Sequence, residues 1–293
     1  MAKAKVDFKA QVTNQLIELI EKAQAEGTDW TMPFQSIAGR PHNAITGTKY
    51  RGFNAFWLMM MGQHTVAGYA QWLNAGWQVQ KGSKAITITA PIPIKDKETN
   101  EQKGLFFRAV NVFSSDDVLN IETGEPWKSP ELPTVDLTER LAIADQYIAN
   151  LGATIHYTNE GRAFYRPADD SITMPHRELF TATDTSDPTS NFYGVLFHEH
   201  THWTGHKSRK DRLDSKNKRG YAYEELIAEI GAAFLSNQLG ISSSPREDHA
   251  QYLANWLGAL NNDKDYIFKA ASEAQAALDY MDSLQTKTNQ KAA

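Results

Sequence analysis

Two histidines four residues apart, with a glutamate beside the first, are the residues of this chain best suited to chemistry: His198-Glu199-His200-Thr201-His202. On a helix, positions i and i+4 point the same way, so both imidazoles can reach one metal ion. Glu199 then lies beside the water that such an ion activates. The arrangement suits metal-dependent hydrolysis of an acyl bond, as in a metallopeptidase. There the ion acidifies water and polarises the acyl oxygen, and the carboxylate serves as general base, then general acid. Hydrolytic zinc usually keeps three protein ligands and one open position. The chain has no cysteine, so the third ligand must be His or a carboxylate. Glu225 and Glu229 are the candidates. They lie four apart on a helix expected over Tyr223–Leu239, away from its apolar face of Leu226, Ile230, Ala233 and Phe234. Glu225 is preferred as the ligand, with Glu229 hydrogen-bonding a ligating His, and the reverse assignment stays open. Zinc is the expected ion, and manganese or another divalent ion suits the same donors. His200 and His206 are read as ordinary surface or helix-end histidines.

A second chemistry is written in the amino-terminal half. The net charge is −5, yet Arg40 to Lys95 holds six Lys/Arg and no Asp or Glu, while Glu131 to the end holds 16 basic against 23 acidic residues. Within the basic stretch, cations interleave with Tyr50, Phe53, Phe56, Trp57, Tyr69, Trp72 and Trp77. Single-stranded nucleic acid asks for this combination, cations for phosphates and flat rings for unstacked bases. The candidate contacts are Lys49, Tyr50, Arg51, Asn54, Trp72, Trp77, Lys81 and Lys84. Phe53, Phe56 and Trp57 are expected to be mostly core.

The elements that position these residues follow from periodicity and punctuation. Helices are expected at Val6–Ala25, Asn54–Met61, Tyr69–Ala75, Leu137–Leu151, from about Asn191, at Tyr223–Leu239, Glu247–Asn261 and Ile267–Leu284, with a frayed tail from Gln285. Strands are expected at Ala85–Ala90 and Leu105–Phe113, forming a long hairpin, and at Ala153–Tyr157, Ala163–Tyr165 and Ser171–Met174. The last is taken as an edge along which a peptide could lie. Gly124, Pro126, Pro130 and Pro133 mark a linker. The division is therefore a DNA-binding domain at 1–125, a linker at 126–135 and a hydrolytic domain at 136–293, in an α+β fold. No apolar segment precedes Asp7, and Phe53–Met61 is far shorter than the roughly 20 residues of a spanning helix. A soluble cytoplasmic protein with no membrane partner is expected.

The chain resembles the ArdC-type antirestriction proteins. The amino-terminal likeness runs through Trp30-x-x-Pro33-Phe34, Asn43-Ala44, Gly47-x-Lys49-Tyr50-Arg51-Gly52-x-Asn54-Ala55, Trp72, Val79-x-Lys81-Gly82 and Val112-Phe113. The carboxy-terminal likeness runs through Phe197-His-Glu-x-x-His-Trp-Thr-Gly-His206, Arg212-Leu213 and Glu224-Glu-Leu-x-Ala-Glu229. The resemblance implies two domains. The first is a mixed α/β single-stranded-DNA-binding module shared with plasmid primases, the second a zincin-like metallopeptidase domain. It also implies a plasmid-encoded role in protecting incoming DNA from host restriction during conjugation, with a host restriction-related protein as a target. His200 stands where the family has an apolar residue, which leaves the ligands intact. Two readings compete with this one: a non-catalytic DNA-binding shield with a structural metal site, and an ordinary cytoplasmic peptidase whose basic stretch is a solvated face.

Overall fold

A computed structural model of the chain describes residues 7–25, 39–96, 99–128, 136–183, 186–213, 220–241 and 250–291. Trp30, Pro33 and Phe34 lie outside the described residues. The chain divides into two units, Met1–Gly39 with Val135–Ala293, and Arg40–Thr134. The sequence boundaries place the first helix differently. Helix α1 (Phe8–Ala25) buries Val12, Leu16, Ile17 and Ile20. Its Thr13 hydroxyl donates to the Lys264 carbonyl, and Phe8 meets Phe268 edge-on. An amphipathic helix stays where its apolar stripe is buried, and here that is in the carboxy-terminal unit.

In the Arg40–Thr134 unit, β1 (His42–Asn43), helix α2 (Gly52–Met60) and β2 (Thr65–Gly68) come first, with β1 and β2 parallel. Helix α3 (Tyr69–Asn74) and β3 (Trp77–Val79) follow, then the long strands β4 (Ile86–Lys95) and β5 (Gln102–Ser114), and finally β6 (Val118–Asn120). One sheet has the order β1-β2-β5-β4, and β3 pairs with β6 in a ribbon of its own. The hairpin runs further than its sequence signal, Ile86 opposite Val112 and Lys95 opposite Gln102. Helix α2 buries nearly every side chain from Phe53 to Met60. A second core gathers Ala67, Trp72, Val79 and Val118, with Trp77 and Trp127 packed against it. Trp127 falls inside the expected linker. Its ring meets Trp72 and Trp77 at 5.1 and 4.7 Å, and so much apolar surface holds the segment to this unit.

The other unit continues with α4 (Leu137–Leu151), β7 (Thr154–Thr158), β8 (Phe164–Arg166), β9 (Ser171–Pro175), α5 (Pro188–Thr204), α6 (Tyr221–Leu239), α7 (Ala250–Asn262) and α8 (Tyr266–Lys291). Helix α8 continues past Gln285, where the tail is expected to fray, to Lys291. The sheet order is β7-β9-β8, with β9 parallel to β7 and antiparallel to β8. Ser171–Met174 is thus the central strand with both edges paired, not the free edge expected from its position in sequence. Short strands separated by turns give no cue to their order in space.

Helix α5 starts where the Asp187 side chain accepts from the Thr189 and Ser190 amides, with Pro188 at the first helical position, where its missing N–H costs nothing. It packs on α6, α8 and strands β8 and β9, so almost all its residues from Ser190 onward are buried. The approach of α5 to α6 is close enough to require glycine. A Cβ on Gly231 would sit 2.5 Å from Thr201 Cγ2.

Gly231→Ala is therefore expected to destabilise the protein by about 1–3 kcal/mol through overpacking, read as a lower midpoint in urea. Adding Thr201→Ala should recover part of that loss. An unchanged midpoint in the single variant would remove the packing argument.

Candidate metal centre

The α5–α6 contact brings together the residues singled out by spacing. His198 and His202 stand one turn apart on α5 with their Nε2 atoms 3.0 Å from each other. Glu225, from α6, places Oε2 3.4 Å from His198 Nε2 and Oε1 3.3 Å from His202 Nε2. These three form a group able to hold one ion. Two imidazole lone pairs facing each other at 3.0 Å repel unless a proton or cation lies between them. Bonds of about 2.0–2.1 Å in a tetrahedral zinc site put neighbouring ligand atoms roughly 3.3–3.4 Å apart. The donor set and its spacing fit a divalent ion.

The other faces of the imidazoles are held as well. His198 Nδ1 lies 2.9 Å from Glu229 Oε1, and His202 Nδ1 lies 3.2 Å from Glu224 Oε1. A proton on His202 Nδ1, shared with Glu224, and the Glu229 carboxylate beside His198 Nδ1 favour the tautomers whose Nε2 lone pairs turn inward. Between the alternatives for α6, the geometry puts Glu225 among the inward-facing atoms and Glu229 behind His198. Sequence reasoning gave Glu224 and Arg212 no role. Arg212 donates Nε to Glu224 Oε2 at 2.9 Å and Nη2 to Glu224 Oε1 at 2.8 Å. It also donates to the Thr201 carbonyl and the Thr204 hydroxyl. Glu224 and Arg212 are twelve residues apart in sequence, a separation with no periodic signature. Gly205 leaves room for this arginine, since a Cβ there would lie 3.1 Å from Nη2.

Burial pulls the His198 pKa down, but Glu229, Glu225 and Glu199 outweigh it and push it up to about 10. His202 is likewise raised against its burial, by Glu224 and Glu225. Burial acts to raise the Glu225 carboxyl, yet hydrogen bonds from His198 and His202 hold it well below the usual carboxylate range. Glu199 is buried beside His198, and its charge acts on both imidazoles.

His200 is not the surface histidine expected. It is fully buried, its Nδ1 2.7 Å from the Leu196 carbonyl, and burial lowers its pKa to about 4, so it is neutral. The reason is that α5 is covered by helices and by sheet, leaving it no wet face. His206 is half-buried and pairs with the Ser208 hydroxyl just beyond the helix end.

The structure scatters the nucleic-acid candidates. Lys49, Arg51, Lys81 and Lys84 are exposed and Tyr50 is half-buried. Trp72 is fully buried and donates its indole N–H to the Phe113 carbonyl, so it offers no face to a base. Trp77 lies half-buried against Trp127. The Asn54 amide is spent on β4, donating to the Thr89 carbonyl and accepting from the Thr89 amide and hydroxyl. Trp72 and Asn54 serve the fold, because a buried indole and a strand edge both need polar partners.

Comparison with known proteins extends this picture. Residues 6–113 match the family described as the N-terminal domain of anti-restriction factor ArdC, and residues 142–273 match the zincin-like metallopeptidase family. The crystal structure of antirestriction ArdC protein from the R388 plasmid, in its metal-free form, is similar with a TM-score of 0.71 and 33% identity. That match covers 96% of this chain and 98% of that one. Its Mn(II)-bound form matches with the same TM-score at 32% identity, covering 95% and 98%. DNA primase TraC of Escherichia coli is 32% identical over 94% of this chain, which spans only 20% of the primase; a second TraC primase is spanned over 28%. The uncharacterized protein y4eC of Sinorhizobium fredii (strain NBRC 101917 / NGR234) is 32% identical over 96% of this chain and 93% of its own length. No helix among the described residues is long and apolar enough to cross a membrane.

Two outcomes follow from the centre's electrostatics. With His198 titrating near 10 in the metal-free protein, an entering ion must expel a proton below that pH. Apparent affinity for Zn²⁺ or Mn²⁺ should rise about tenfold per pH unit through neutrality and level off above the His198 pKa. Calorimetry in buffers of different ionisation enthalpy should find about one proton or more released; none released would contradict the assignment. Arg212→Met, which leaves Glu224 buried without its cation, is expected to cost about 3–5 kcal/mol of stability. The same change should lower metal affinity by about 10- to 100-fold, measured by competition with a chromogenic chelator.

Proposed function

This chain belongs to the ArdC family of antirestriction proteins, and from that premise we propose that it protects incoming plasmid DNA from host restriction with two tools. The Arg40–Thr134 unit binds single-stranded DNA, and the carboxy-terminal unit hydrolyses a peptide bond, with a host restriction-related protein as its target. The observation that carries the hydrolytic half is the convergence of His198, His202 and Glu225, with Glu199 buried beside them. The DNA half is supported by the match to the ArdC N-terminal domain, by the run of basic residues without an acid, and by the shared sequence with DNA primases.

His198, His202 and Glu225 would hold the ion. Zinc is favoured by two imidazoles and one carboxylate, and manganese by the Mn(II) form of the R388 relative. When bound, the ion supplies Lewis acidity, making water acidic enough to lose a proton near neutrality and polarising an acyl oxygen. The protein's own groups do the rest. Glu199 takes the proton of the attacking water on its carboxylate and returns it to the leaving nitrogen. Glu229 and Glu224 keep the two imidazoles in the tautomer that faces Nε2 inward. The dry surroundings of α5 strengthen each of these interactions.

Glu199→Gln keeps the shape and both histidines while removing the base. In cells receiving unmodified DNA, protection should disappear with this variant, once metal content, abundance and unfolding midpoint are shown to match the wild type. Any measurable peptide hydrolysis should fall by about 10²- to 10⁴-fold. Intact protection would sink the hydrolytic half and leave DNA binding as the working part.

A further inference from the structure

The rings that the sequence offers for stacking on bases are largely taken up by the fold. Phe53, Phe56, Trp57 and Trp72 are buried, and Trp77 lies against Trp127. Among the described residues of the Arg40–Thr134 unit, three other rings stand out in solvent: Tyr69 at 47%, Phe106 at 47% and Phe107 at 65% exposure. Phe107 is the most exposed, and the sheet register says what surrounds it.

Residues directly opposite in an antiparallel pair share a face. Thr87 faces Asn111, Thr89 faces Ala109 and Pro91 faces Phe107, and the Thr87 hydroxyl donates to the Asn111 side chain at 3.0 Å. Phe113 projects from this same face, and Tyr69 packs on it edge-on at 6.1 Å. The face therefore carries an accessible ring at each end, Tyr69 over Phe113 and Phe107 six residues away, about 20 Å at a rise of roughly 3.4 Å per residue. Between them lie threonine, asparagine and alanine. The opposite face is core at its base, where Ile88 and Val112 are buried.

The edge of this ribbon is closed to another strand. The Asn54 amide already fills the outward N–H and C=O of Thr89. Pro91 and Pro93 share the outward register of Thr89 and have no N–H to offer. What remains is a side-chain face. Exposed Lys84 precedes β4 and exposed Lys95 ends it; on β5, Lys103 pairs with Asp96 at the hairpin tip, and Arg108 lies on the other face, opposite Ala90. A face with rings spaced by small polar residues, on a strand with a lysine near each end, lacks the continuous apolar surface a protein partner needs. It suits unstacked bases and a phosphate backbone.

We infer that the β4–β5 face bearing Thr87, Asn111 and Phe107 is the platform for single-stranded DNA, with Phe107 as the ring on which a base stacks. This rests on the reading of the unit as DNA-binding. The test uses the full chain as wild type, Phe107→Ala and Phe107→Tyr. Each is titrated by fluorescence anisotropy with labelled oligothymidylate and with an abasic oligodeoxynucleotide of equal length. The wild type should prefer the strand that has bases. Phe107→Ala should lose about five- to a hundredfold in affinity for oligothymidylate, bind the abasic strand unchanged and keep its unfolding midpoint, and Phe107→Tyr should restore the preference. Oligothymidylate affinity unchanged in Phe107→Ala would overturn the inference while leaving the DNA reading standing. If Phe107→Ala instead turns a dimer into a monomer in sedimentation, with that affinity kept, the face is an interface between copies. A wild type that binds neither strand at low salt would remove the DNA reading itself, and the inference with it.

Discussion

The close approach of α5 and α6 is the constraint on which the carboxy-terminal unit depends. Neither helix can build the centre alone. The paired histidines come from one and all three carboxylates that touch them come from the other. The distance between helix axes at a crossing is set by the side chains at the contact. With glycine at 231 facing Thr201, the backbones come near enough for glutamates to reach imidazoles directly. A larger residue there would act on a centre it never touches.

That approach concentrates charge in a dry place. Burying a carboxylate or a protonated imidazole without partners costs several kcal/mol. The centre meets the cost by pairing the carboxylates of α6 with the imidazoles and with Arg212. Glu224 has Arg212 and His202, Glu225 lies between both histidines, and Glu229 has His198. The same pairing raises the pKa of both imidazoles against their burial. His200 shows the contrast on the same helix. It has a backbone carbonyl as partner and no carboxylate, and burial keeps it neutral.

The amino-terminal unit divides its polar and aromatic residues differently. Several that look like contacts in sequence hold the fold together. Trp72 donates into the sheet, Asn54 closes an edge strand, and Trp77 meets Trp127 edge-on. Accessible rings stand instead on the β4–β5 ribbon, where an apolar residue in an alternating strand reads as core. The ribbon outruns the core that covers its base, so side chains patterned for burial end in solvent.

The sequence by itself determined the arrangement that depends on local spacing. The i, i+4 pair of histidines, the glutamate beside the first and the glutamates of a second amphipathic helix are all legible, because helical periodicity fixes which side chains share a face. The long helices and the hairpin were legible for the same reason. The matched families and the R388 relative agree with the division into an ArdC amino-terminal domain and a zincin-like domain. Only the tertiary structure decided what depends on distant partners. It separated Glu225 from Glu229 and brought Arg212 to Glu224. It also moved α1 to the carboxy-terminal unit, set β9 in the middle of its sheet, and buried His200 and Trp72. Each of these turns on which surface covers which. Hydrophobic burial is non-directional, so an apolar stripe announces that it will be covered without naming its cover.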